Sequence, residues 1–150
     1  MKLAEALLLR ADIQKKLASL RERIVANALT QEGSAPLLDP NAMLLEAAGV
    51  IDELESLVAA INIANLRNTL PDGRSLTAAI ARRDSLMQQH GLIAAAIAAT
   101  QKEPARYSTR EIKWISVVNV KSLQKQLEDI SKQLRELNAR IQETNWKVDL

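Results

Sequence analysis

VKSLQKQLEDISKQLRELNARIQETNW, residues 120–146, decides the fold. Its apolar side chains recur at Val120, Leu123, Leu127, Ile130, Leu134, Leu137 and Ile141, alternating steps of three and four. A repeat of about 3.5 residues keeps one seam of a helix facing its partners, so the stretch is a bundle helix and not a strand. The same spacing opens the chain at Leu3, Ala6, Arg10, Ile13, Leu17, Leu20 and Ile24. It returns at Leu44, Ala47, Ile51, Leu54, Val58, Ile61 and Asn65, and again at Leu76, Ile80, Arg83, Leu86 or Met87, His90, Ala94 and Ile97.

Punctuation between these stripes sets the boundaries. The first helix is predicted from about Lys2 to Ala28, before a loop or arm, residues 31–41, that holds Gly33, Pro36 and Pro40. Asp39 before Pro40 offers an N-cap with proline at the first helical position, and the second helix runs from there to about Asn68. Gly49 inside it suggests a close helix contact, since glycine there costs about 1 kcal/mol against alanine. The Asp72-Gly73 pair predicts a tight turn or small hairpin near 69–76. Ser75 or Thr77 caps the third helix, which reaches about Thr100 before Pro104. Residues 112–119 are β-branched and read as a short strand or extended arm, pairing with residues 29–35 or with the same segment of another chain. The fourth helix covers Val120 to Trp146. The expected fold is one mainly α domain over residues 1–150, an antiparallel four-helix bundle with long, coiled-coil-like helices.

Composition narrows the chemistry. The chain has no cysteine, which excludes disulfides, zinc-thiolate sites and thiol catalysis. His90 is its one histidine, and Met87 stands where a Glu-x-x-His pair would need glutamate, so neither a di-iron nor a zinc set can form around it. No phosphate-binding loop and no distinctive Ser/His/acid set is present, so the expectation is a non-enzymatic protein without cofactor or metal. With no secretory apolar region, and with residues 91–100 too short to span a bilayer, a cytoplasmic protein is expected. Net charge is +2, but residues 31–66 carry six acidic groups and no Lys or Arg, against fourteen basic and nine acidic in residues 67–150. This segregation favours packing of the second helix against basic partners, mostly as screened surface attraction.

The interruptions of the stripes are the candidate site. In an up-down-up-down bundle Arg10, Asn62, Asn65, Arg83, Asp84 and Asn145 gather at one end. Two guanidiniums and three amides suit a carboxylate, a phosphate or backbone carbonyls. They form either a ligand pocket or a structural network in which the arginines bind acids such as Glu5 or Asp84 and the asparagines fix register. Tyr107, Arg110, Lys113 and Trp114 form a candidate interaction segment. Basic residues interleaved with aromatics can serve single-stranded nucleic acid. Here no nucleic-acid module accompanies them, and none is expected as a partner.

Several blocks together resemble a family. They are Leu3-Ala4-Glu5-Ala6-Leu7 with Arg10-Ala11-Asp12; Ile61-Asn62 and Asn65; and Asp72-Gly73-Arg74-Ser75-Leu76-Thr77 with Ala81-Arg82-Arg83-Asp84. Tyr107-Ser108, Glu111-Ile112-Lys113-Trp114, Leu123-Gln124-Lys125, Asn145-Trp146 and Asp149-Leu150 complete the set. This pattern is similar to the small bacterial helical proteins labelled septicolysin, a group of unknown function, and the label implies a cytolysin. The family carries an acidic residue where this chain has Ala78, so the cap of the third helix rests on Ser75 alone and is weaker by about 0.5–1 kcal/mol. The residues themselves favour a self-associating helical protein whose partner is itself. An anion- or small-ligand-binding protein using the Arg/Asn cluster is the alternative, and a cytolysin the third reading.

Overall fold

The computed structural model describes residues 1–101 and 112–150. Four long helices account for most of it: α1 (Leu3–Asn27), α2 (Pro40–Arg67), α3 (Leu76–Thr100) and α4 (Val120–Lys147). The fold class is all-helical and compatible with a bundle, and each helix starts and stops within two residues of its sequence-predicted limits. Two compact units compose the chain, Met1–Ser75 with Gln142–Leu150, and Leu76–Ile141.

The helix starts follow local chemistry. Asp39 Oδ1 accepts the Asn41 amide at 2.9 Å, with Pro40 at the first helical position of α2. Leu76 is the first residue of α3, which puts Ser75 at the N-cap. Asn119 Oδ1 accepts the Ser122 amide at 3.0 Å and caps α4. At α1 the Lys2 amide donates to Glu5 Oε2 at 2.7 Å, half of a capping box without a side-chain acceptor at the cap itself.

In the first unit α1 and α2 pack together and run antiparallel. Lys16 of α1 pairs with Glu46 of α2 at 2.9 Å, and the Leu38 amide donates back to Asn27 Oδ1 at 3.1 Å. Every position of the α1 stripe is buried or half-buried, with Leu3, Ala6 and Leu20 completely enclosed. The α2 stripe requires a correction. Ala47, Leu54 and Ile61 face inward as expected, but Met43 and Val50 are the buried residues where Leu44 and Ile51 were anticipated. The inward seam is Met43, Ala47, Val50, Leu54, Leu57, Ile61, Ala64 and Asn68. Gly49 marks no close contact either, since a Cβ built there meets nothing within 4 Å.

The turn after α2 is a three-residue hairpin. The Gly73 amide bonds Leu70 O at 2.9 Å, and the Leu70 amide bonds Arg74 O at 2.7 Å. Gly73 takes φ +84°, and Thr69 and Ser75 form an antiparallel bridge at the base. A type I turn followed by a left-handed glycine is a usual three-residue hairpin loop. Asp72 braces it by accepting the Arg74 amide at 3.1 Å and the Arg74 guanidinium at 2.6 Å, which raises the arginine pKa above its ordinary value. The small hairpin expected near 69–76 is therefore present.

A second bridge was not anticipated. Lys2 and Asp149 pair antiparallel, with Leu3 N–H to Val148 O at 2.9 Å and Leu150 N–H to Met1 O at 3.0 Å. The Lys2 ammonium reaches Asp149 Oδ2 at 2.9 Å.

In the second unit the sequence stripes of α3 and α4 hold. Leu76, Leu86 and Ile97 are buried on α3, and Leu86 rather than Met87 takes the inward place. All seven seam positions of α4 are buried or half-buried. Residues 112–119 form no strand, correcting that part of the expectation, and are exposed throughout. Among the described residues they do not pair with residues 29–35, the two bridges being those at Lys2 and Thr69.

Candidate functional site

The polar interruptions of the stripes have unequal surroundings. In the first unit Arg10 is half-buried at the α1 seam, Asn65 is half-buried beside the α2 seam, Asn145 is buried at 4% exposure, and Asn62 is exposed. Among the described residues Arg10 Nε is a buried donor without a hydrogen-bond partner, and Glu5 is engaged by the Lys2 amide instead. In the second unit Arg83 donates from Nε and Nη2 to Asp84 Oδ1 at 3.0 and 2.8 Å, so this arginine is neutralised by its sequence neighbour. His90 is half-buried on α3. Lys113 and Trp114 are exposed on the arm, Trp114 at 77%. Tyr107 and Arg110 lie outside the described residues.

A groove of about 500 Å³ opens in the first unit between the hairpin base and the end of α4. Asn68, Thr69, Leu70 and Pro71 form one wall, and Glu143, Thr144, Lys147, Val148 and Asp149 the other. Its charges are already matched. Lys147 pairs with Glu143 and Lys2 with Asp149, and each partner holds its carboxyl below the usual range. Asn68 Nδ2 donates to Ala64 O at 2.9 Å. Such a groove can accept water or a small polar molecule, but it offers no base poised beside a nucleophile. Among the described residues no three His, Asp or Glu side chains converge as metal ligands, and no helix is long and apolar enough to cross a membrane.

Among the described residues the outer face of α2 is conspicuously exposed. Leu44, Ala48, Ile51, Glu55, Ala59, Asn62 and Leu66 follow one another at steps of three and four, with Leu45, Asp52 and Ile63 on the flank. All ten are exposed, Leu45 at 78% and Leu66 at 67%. α2 thus carries large apolar side chains on a second face beside the one against α1, interrupted by Glu55 and Asn62. A helix apolar all round is normally buried on all sides, and soluble monomers rarely leave a contiguous apolar patch beyond a few hundred Å². Sequence reasoning missed this face because it assigned Leu44 and Ile51 to the core. The signal was the doubling of apolar residues at Met43-Leu44-Leu45 and Val50-Ile51, more than one seam can use.

The arm repeats the theme. Ile112, Trp114, Ile115 and Val117 are all more than three-quarters exposed. From residue 112 to 127 there are three lysines, Lys113, Lys121 and Lys125, all exposed, and no acidic residue.

Comparison with known proteins gives kinship without an activity. A crystal structure of a functionally unknown conserved protein from Corynebacterium diphtheriae superposes with a TM-score of 0.92 at 29% identity, covering 100% of this chain and 98% of that one. No functionally curated protein matches, and nothing in these comparisons supports a cytolysin. The profile of a family of unknown function, DUF6847, matches residues 10–150, nearly the whole length, and the chain belongs to that family.

Proposed function

We propose that this is a non-enzymatic, cytoplasmic helical protein that works by self-association. The observation that carries the reading is the outer face of α2, where five large aliphatic side chains, Leu44, Leu45, Ile51, Ile63 and Leu66, are each about half exposed or more. The run from Leu44 to Leu66 is about 33 Å long at 1.5 Å per residue, enough for a full helix-to-helix or helix-to-strand contact. Covering it removes apolar area from water, which is the main favourable term in association. Multi-angle light scattering at 1–100 µM (about the range where such contacts show) is the test. The reading expects an oligomer that dissociates on dilution. A monomer across the whole range sinks it.

A second reading rests on a separate observation, the buried Arg10 Nε, which has no hydrogen-bond partner among the described residues. A guanidinium held this way suits a carboxylate or phosphate. Calorimetric titration with phosphate and citrate, on wild type and Arg10→Met, separates it from a structural role. Binding lost in the variant with stability unchanged supports a pocket, whereas absence of binding to wild type removes this reading. The cytolysin that the sequence resemblance implies predicts dye release from liposomes, and an inert protein in that assay would exclude it.

A further inference from the structure

We infer that the outer face of α2 is covered by the arm, residues 112–118, of a second copy of the chain. This rests on the self-association reading above and names the element that meets the face. Two observations choose the arm over a second α2. The apolar run from Leu44 to Leu66 has Glu55 at its midpoint, with Asp52 beside it. A two-fold pairing of this face with itself is self-complementary, so it would set Glu55 against its own copy, and like charges at a desolvated contact oppose it. Residues 40–66 hold four acidic groups and no basic one, and only Glu46 among them has an ion-pair partner among the described residues. Asp52 and Glu55 are exposed carboxylates on this face that a basic segment can meet.

The arm supplies the complement. It brings Lys113 among Ile112, Trp114, Ile115 and Val117, and the first turn of α4 adds Lys121. Drawn out as a strand on its partner, seven residues reach about 23 Å at roughly 3.3 Å each. That length matches the helix from about Leu45 to Ala59, the part of the face that carries Ile51, Asp52 and Glu55. Trp114 is an aromatic anchor of the kind that dominates association energetics. The contact is heterologous: an arm on one copy, a helix face on the other.

Sedimentation velocity on the full chain, alone and in mixtures, tests the assignment. The arm variant is Trp114→Asp with Ile115→Asp, and the face variant is Leu45→Asp. All three positions are exposed, so helix content and melting temperature serve as folding controls. Wild type is expected to associate and each variant alone to stay monomeric. An equimolar mixture of the two variants is expected to form a 1:1 complex, because one retains an intact face and the other an intact arm. Lys113→Glu and Glu55→Lys should each weaken association about fivefold, and their combination in one chain should recover most of it. An arm variant that associates like wild type, or a mixture that stays monomeric, overturns the arm assignment while leaving self-association standing. A monomeric wild type removes the parent reading, and this one with it.

Discussion

At Gly73 the backbone sits at φ +84°, whereas Gly49 lies inside the continuous helix α2, and the same substitution acts oppositely at the two. A Cβ meets nothing within 4 Å at either position, so only backbone conformation differs. Gly73→Ala forces an L-residue into the left-handed region and should cost about 1–2 kcal/mol. Gly49→Ala removes the helix penalty of glycine and should add about 0.5–1 kcal/mol. Urea unfolding of both variants checks the pair, and matching signs would contradict the geometry. The asymmetry was half legible in the sequence: Asp72-Gly73 announces a turn, but a mid-helix glycine does not say whether a neighbour approaches it. The α2 stripe shows the same limit. At 43/44, 50/51 and 57/58 both adjacent residues are apolar, so hydrophobicity could not choose the phase, and packing against α1 did. Ile61→Ala should therefore cost about 2–5 kcal/mol, since Ile61 is 1% exposed. Ile51→Ala should cost well under about 1 kcal/mol in dilute, monomeric protein, a difference the same unfolding curves would report.

At the level of elements, capping and periodicity were readable because they are local. Asp39-Pro40 at the start of α2 is a short-range signal, and the α4 seam repeats through seven positions. The Lys2–Asp149 bridge is different, because it joins residues 147 apart and neither tripeptide has enough length to show strand periodicity. Its electrostatics give a signed prediction. The hydrogen bond from Lys2 and the attraction of its charge lower the Asp149 pKa below the ordinary 3.8. A depressed carboxyl contributes stability above its unfolded value, and that contribution fades as pH falls through the lowered folded value. Both side chains are exposed, so the effect is modest and screened by salt. Amide exchange at Leu3 and Leu150 should therefore be slower in wild type than in Asp149→Asn near pH 6, with the difference closing below about pH 4. A difference that persists at pH 2 would mean that the backbone bonds alone hold the bridge.

Across the whole molecule the charge distribution decides how association should answer salt. The clustering of Arg10, Asn62, Asn65, Arg83, Asp84 and Asn145 was a topological expectation. What sequence could show was only that each interrupts or borders a stripe, because the surroundings of a polar seam residue depend on partners far away in the chain. The acidity of residues 31–66 needed no topology and was visible by counting, while the exposed second face of α2 needed the packing phase first. An interface made of apolar area alone should tighten as an excluded salt such as sulfate is added. A contact that also sets Lys113 against Asp52 and Glu55 loses attraction as the Debye length shrinks from about 10 Å at 0.1 M to about 3 Å at 1 M. Sodium chloride screens charge with little of sulfate's effect on apolar burial, so the two salts separate the contributions. Association through the proposed contact, measured by sedimentation, should weaken severalfold between 0.05 and 0.5 M (about the range over which exposed pairs are screened) in chloride, and the trend should vanish in Lys113→Gln. Weakening of equal size in that variant would place the salt-sensitive charges elsewhere on the chain.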